Sequence, residues 1–95
     1  MALDMAQEAV VLERTLARRG LAHLMVTRRG NALTILNAAD RSPEARLTAV
    51  GKRIWRLDLP NFRGAWDPTP FVADLAELVD TALSIGRLID GSPPN

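Results

Sequence analysis

Cysteine is absent from this sequence of 95 residues, histidine occurs once, and lysine supplies only one of the twelve basic residues. Without cysteine there can be no disulfide, no thiolate metal site and no cysteine nucleophile, whatever the compartment. No apolar run approaches the ~18–20 residues of a membrane span. The opening stretch, MALDMAQEAVVLERT, carries acids where a secretory signal would carry bases. The expectation is a cytoplasmic chain with no membrane partner. Catalytic signatures are missing as well: there is no P-loop, no G-x-G-x-x-G, no H-E-x-x-H and no serine in a G-x-S-x-G setting. A general base needs a nucleophile and an orienting acid beside it. The lone His23 falls on an expected strand next to Met25, which suits a surface or interface residue. The chain is therefore expected to be non-catalytic, with no cofactor and no metal.

What is present fits a folded domain. Hydrophobic residues make up 47% and charged residues 24%, proportions that argue against disorder. The length suits a single domain over residues 1–90, with GSPPN at 91–95 as a frayed tail. A net charge of +1 conceals an asymmetry. Residues 1–13 hold three acids and no base, residues 14–63 hold eleven bases against three acids, and residues 64–95 hold five acids against Arg87. The preference for arginine over lysine suggests a GC-rich bacterial genome.

Periodicity predicts the elements. Met5, Ala9, Leu12 and Leu16 form a helical stripe within residues 2–19, and Gly20 supplies the left-handed residue on which helices stop. LMVTRRGNALTIL reads as a hairpin of residues 21–28 and 32–37 around Gly30-Asn31, with Leu24, Val26, Leu33 and Ile35 on one face. A turn-rich connection, AADRSPEA, leads to a second hairpin of residues 45–50 and 54–59. Burying Leu47 beside Leu57 and Trp55 requires a three-residue connection, Gly51-Lys52-Arg53; a two-residue one would place Leu47 opposite Arg56. That register sets Arg46 against Asp58 and Thr48 against Arg56. Pro60 ends the strand.

In AWDPTPFVADLAELVD, Thr69 fits an N-cap and Pro70 the first helical position. Phe71, Leu75, Leu78, Ala82 and Ile85 then form the apolar stripe of a helix, and Trp66 plugs the corner before it. Asp74, Glu77 and Asp80 share one helical edge; a magnesium or calcium site draws oxygens from several segments, so a solvated face is expected. The order is α-β-β-β-β-α: an α+β domain whose four-stranded antiparallel meander carries the N- and C-terminal helices on one face.

The G-x-W-x-P-T-P-F run (Gly64, Trp66, Pro68, Thr69, Pro70 and Phe71) resembles one found in small bacterial proteins. The similarity extends back through ARLTAVGKRIWRLDLP, residues 45–60. It implies a stand-alone accessory domain and attaches no activity, substrate or cofactor.

Function then rests on the sheet face turned away from the helices. Met25, Leu36, Val50 and Ile54 are expected there, rimmed by Arg46 and Arg56. Such a patch marks an interaction surface. The expected partner is another protein or a second copy, as a homodimer, with an adaptor, regulatory-subunit or immunity-type role. Nucleic acid is the alternative, since arginines surround the sheet. It is disfavoured because no aromatic residue is expected on the outer face to stack on bases.

Overall fold

A computed structural model describes residues 4–86 and residue 88. The proposed tail at 91–95 and the first residues of the expected N-terminal helix lie outside the described residues. The elements are α1 (Met5–Arg18), β1 (Leu24–Arg29), β2 (Ala32–Asn37), β3 (Pro43–Gly51), β4 (Ile54–Pro60), β5 (Trp66–Ala73) and α2 (Leu75–Ser84). The strands form one antiparallel sheet in the order β1-β2-β3-β4-β5.

Helix α1 is capped at both ends by its own sequence. The Asp4 carboxylate accepts hydrogen bonds from the Ala6 and Gln7 N–H groups, two donors that the first turn leaves without carbonyl partners. At the far end Gly20 has φ +77°. Its N–H donates to the Ala17 carbonyl, and that of Leu21 donates to the Leu16 carbonyl. This paired arrangement closes a helix when an apolar residue follows the glycine and packs back on the last turn. Leu16 and Leu21 are both fully buried. Leu21 thus belongs to the helix stop, and the first strand begins at Leu24.

The two hairpins keep the registers their alternation requires. Val26 pairs with Ile35 and Arg28 with Leu33 around Gly30, whose φ of +57° is the glycine-first pattern of a two-residue turn. In the second hairpin Leu47 pairs with Leu57, Ala49 with Trp55 and Arg46 with Asp58. The expected three-residue connection is not what holds this register: Gly51 pairs with Ile54, the turn is the two residues Lys52-Arg53, and a bulge between Ala49 and Gly51 absorbs the extra residue, Val50. Arg53 takes φ +58°, a left-handed value for a residue with a side chain.

The expected helix start at Thr69-Pro70 is not observed. Residues 66–73 form a fifth strand, so the sheet has five strands and not four. Residues preceding proline are driven to extended conformations, here Asp67 and Thr69. Proline is tolerated on an edge strand because no ladder N–H is missed there. The helix starts five residues later at a stronger signal. Asp74 caps α2 by accepting from the Glu77 N–H at 2.8 Å.

Both helices cover one face of the sheet. Leu12 and Leu16 of α1 and Leu75, Leu78, Val79 and Ala82 of α2 share a single buried cluster with Leu24, Val26, Leu33, Ile35, Ala45, Leu47, Trp55 and Leu57. The Arg19 guanidinium holds the Asp80 carboxylate with two hydrogen bonds, tying the end of α1 to α2. The expected stripe of α2 loses Phe71, which lies on β5, and Ile85, which follows the last helical residue and is exposed.

Candidate functional site

Neither α1 nor α2 lies over the outer face of the sheet, and the strand registers arrange it in rows. Across its middle run Thr27, Thr34, Arg46, Asp58 and Pro68; the neighbouring row holds Arg29, Ala32, Thr48, Arg56 and Val72. Asp58 is the anomaly: a carboxylate with 0% exposure on a face turned to solvent. It accepts from Arg46 Nε at 3.0 Å, Thr48 Oγ1 at 2.6 Å, and Arg56 Nε and Nη2 at 2.7 and 3.3 Å. The two arginine stems close over it. Burial pushes the Asp58 carboxyl up, but the hydrogen bonds from Arg56, Thr48 and Arg46, with the charge of Arg56, outweigh that and hold it below the usual carboxylate range. Asp58 therefore stays ionised at neutral pH and fixes both arginines.

This lattice divides the expected patch. Met25 and Leu36 pair with each other at one end of the sheet, with Pro43 beside Leu36. Val50 and Ile54 lie at the other end, on the β3–β4 turn, 49% and 46% exposed. Arg46 and Arg56 stand between the two ends, engaged with Asp58. The six residues expected to form one surface form two apolar ends and a fixed polar middle.

Each end gains a residue that the helical reading of β5 had placed elsewhere. Val72, 51% exposed, pairs with Arg56, diagonal to Ile54. Trp66 pairs with Pro60 at the Met25 end, with the Arg46 guanidinium 5.0 Å from its ring centroid. The outer face therefore does carry an aromatic residue, contrary to expectation. The β4–β5 loop adds Phe62, 95% exposed, beside Arg63. The signal for β5 was in the sequence: two residues held extended by prolines, and an Asp-x-x-Glu capping pattern at 74–77.

On the other side of the sheet a cleft of about 400 Å³ opens between α1, the start of α2 and the β3–β4 turn. Val11, Trp55 and Leu75 give it apolar walls, and Glu8, Asp74 and Arg53 are its charged residues. Trp55 itself is 1% exposed.

Among the described residues no group of three or more histidine, aspartate or glutamate side chains is placed to hold a metal ion. The carboxylates of Asp74 and Asp80 have separate duties: the first caps α2 by accepting from the Glu77 N–H, and the second holds Arg19. His23 precedes β1, and its backbone carbonyl accepts from the Ala38 N–H. No helix among the described residues is long and apolar enough to cross a membrane. No protein-family model matches the chain, and no curated protein or solved structure matches it either.

Proposed function

We propose that this chain is a small non-catalytic interaction domain of the bacterial cytoplasm, an adaptor, regulatory subunit or immunity-type protein, which binds another protein and associates with itself. One observation carries the reading: the outer sheet face is covered by neither α1 nor α2 and presents two apolar ends around a preset Arg46–Asp58–Arg56 lattice. Apolar ends supply hydrophobic free energy of ~25 cal/mol per Å² buried, and pre-oriented arginines add orientation at little entropic cost. The face is small. Five strands ~4.8 Å apart and about six residues long give a footprint of roughly 400–500 Å², below the ~800 Å² per partner of a stable interface. Association through this face alone is therefore weak and concentration-dependent.

The double change Met25→Asp with Ile54→Asp places a charge at each end without touching the core. It should leave the circular dichroism spectrum and melting intact and abolish association through this face, read by light scattering over a concentration series. Normal association and normal partner capture by the double variant would remove the outer face from the reading.

Nucleic-acid binding is the second reading, favoured by the grouping of Phe62 and Trp66 with Arg46 and Arg63 at one end. Aromatic rings and cations in a row are what single strands stack upon. Against it, Arg46 already covers one face of the Trp66 ring, and Asp58 neutralises part of the arginine charge. Capture of single-stranded DNA that falls steeply with salt and is lost in Trp66→Ala would favour this reading.

A further inference from the structure

We propose that the self-contact is a knob entering a cleft: Phe62 of one copy seats between α1 and α2 of a second copy, and that copy returns the same contact. The inference rests on the self-association in the preceding reading and locates it away from the sheet face.

The knob is unusual in being both exposed and held. A phenyl ring 95% open to water carries a hydrophobic cost that folding does nothing to relieve. Its loop is nonetheless tightly bonded through one side chain. Asn61 Oδ1 accepts from the Arg63 and Ala65 N–H groups at 2.9 and 3.0 Å, and Asn61 Nδ2 donates to Asp67 Oδ1 at 3.1 Å. The Asn61 N–H donates to the Ala65 carbonyl at 2.9 Å. A ring presented on a fixed loop loses little entropy when it binds, which is the property of an interface anchor.

The cleft suits that ring. Its volume, about 400 Å³, lies within the ~300–1,000 Å³ range of pockets that enclose organic groups. The walls of Val11, Trp55 and Leu75 are apolar, and Glu8 and Asp74 stand beside them. Arg63 follows Phe62 in the chain, so a seated ring brings a guanidinium to the two carboxylates. Arg53 also lines the cleft, leaving it with one net negative charge to receive Arg63. The occupant that matches an apolar floor and an acidic side is thus an aromatic residue next to a cation, and this chain displays that pair on its β4–β5 loop.

A copy cannot fill its own cleft this way. Strand β4 runs from beside the cleft at Ile54 to Pro60 just before the knob, and seven residues of strand separate them by ~20 Å. Two reciprocal insertions related by a two-fold axis close a dimer, the commonest symmetric assembly.

Because knob and cleft are separate surfaces, they can be disabled separately. Phe62→Ser removes the knob at an exposed position, and Val11→Trp fills the cleft from a partly exposed helical position. Light scattering on size-exclusion fractions of the full chain reads the outcome. Wild type should be dimeric, and each variant should raise the dimer dissociation constant about tenfold or more. Each variant paired with itself loses both contacts. An equimolar mixture should form a heterodimer held by one of the two, weaker than wild type but tighter than either variant alone, since the knobless copy keeps its cleft and the filled copy keeps its knob. If Val11→Trp fails to fold by circular dichroism, Glu8→Lys replaces it, with rescue by Arg63→Glu in the same chain. A monomeric wild type, a dimeric Phe62→Ser variant, or a mixture that associates no more tightly than either variant alone overturns the proposal. Dimerisation lost in Met25→Asp with Ile54→Asp but kept in Phe62→Ser overturns it while the interaction reading stands. The opposite pattern supports it and leaves the outer face to a different protein.

Discussion

Thr69 reaches across the β4–β5 pairing and donates its hydroxyl hydrogen to the carbonyl oxygen of Leu57 at 2.7 Å. The pairing is irregular there: Asp58 lies opposite Pro68 and Arg56 opposite Val72, so residues 69–71 all face Leu57. Pro70 has no N–H to offer. The threonine hydroxyl supplies a donor in its place, and its oxygen also accepts from the Phe71 N–H at 3.2 Å.

Thr69→Val should therefore cost about 1 kcal/mol, the net worth of a hydrogen bond whose acceptor loses its partner, while Thr69→Ser should retain most of it. Hydrogen exchange distinguishes this role from helix capping. Faster exchange along β4 and β5 with α2 unchanged is expected; fraying confined to α2 would restore the capping role to Thr69.

Asp58 predicts an acid limb in the stability profile. Its folded pKa lies below the unfolded value of ~3.9, so the native state binds fewer protons than the unfolded one. Its contribution is complete above the unfolded value and is lost as pH falls through the folded value. Urea midpoints should drop as pH falls below about 4 in the wild type, and the slope should flatten in Asp58→Asn. Asp58→Ala at neutral pH should cost roughly 1–3 kcal/mol. That lies under the ~3–5 kcal/mol for breaking a deeply buried pair, because the arginines left behind are partly exposed and rehydrate. An unchanged acid limb in Asp58→Asn would mean the lattice contributes nothing.

Trp55→Ala should cost about 3–5 kcal/mol, as truncations of large core side chains do. Trp55 is 1% exposed under the helices, and it also lines the cleft. Denaturant unfolding gives the loss of stability, and a loss under ~1 kcal/mol would place the ring outside the core.

Much of the fold was legible because alternation and capping are local. Gly20 marked the end of α1, Gly30-Asn31 fixed the first turn, and burial set Leu47 against Leu57, although a bulge at Val50 and a two-residue turn reach that register in place of the expected three-residue connection. The same logic set Arg46 against Asp58. Residues 66–73 were misread because Thr-Pro followed by apolar residues satisfies a helix start and a proline-bearing edge strand equally well. Nothing within the segment says that β4 has a free edge to pair with. The outer positions were legible by parity for Met25, Leu36 and Ile54, whereas Val50, expected in the same alternation, falls in the bulge between Ala49 and Gly51. Their division into two ends comes from Asp58 holding Arg46 and Arg56 between them, side-chain contacts that alternation alone does not give; the entry of Trp66 and Val72 depends on the misread strand.

The sequence by itself determined which residues face the core from the first helix and the two hairpins, where the first helix stops and how each hairpin pairs, since these follow from interactions between near neighbours along the chain. Only the tertiary structure decided that residues 66–73 add a fifth strand, that Asp58 is sealed under Arg46 and Arg56, and that a cleft opens beside Trp55 while Phe62 stands clear of it. Those outcomes depend on which distant segments compete for one sheet edge and one core. That competition is settled by burial and backbone pairing across the whole molecule.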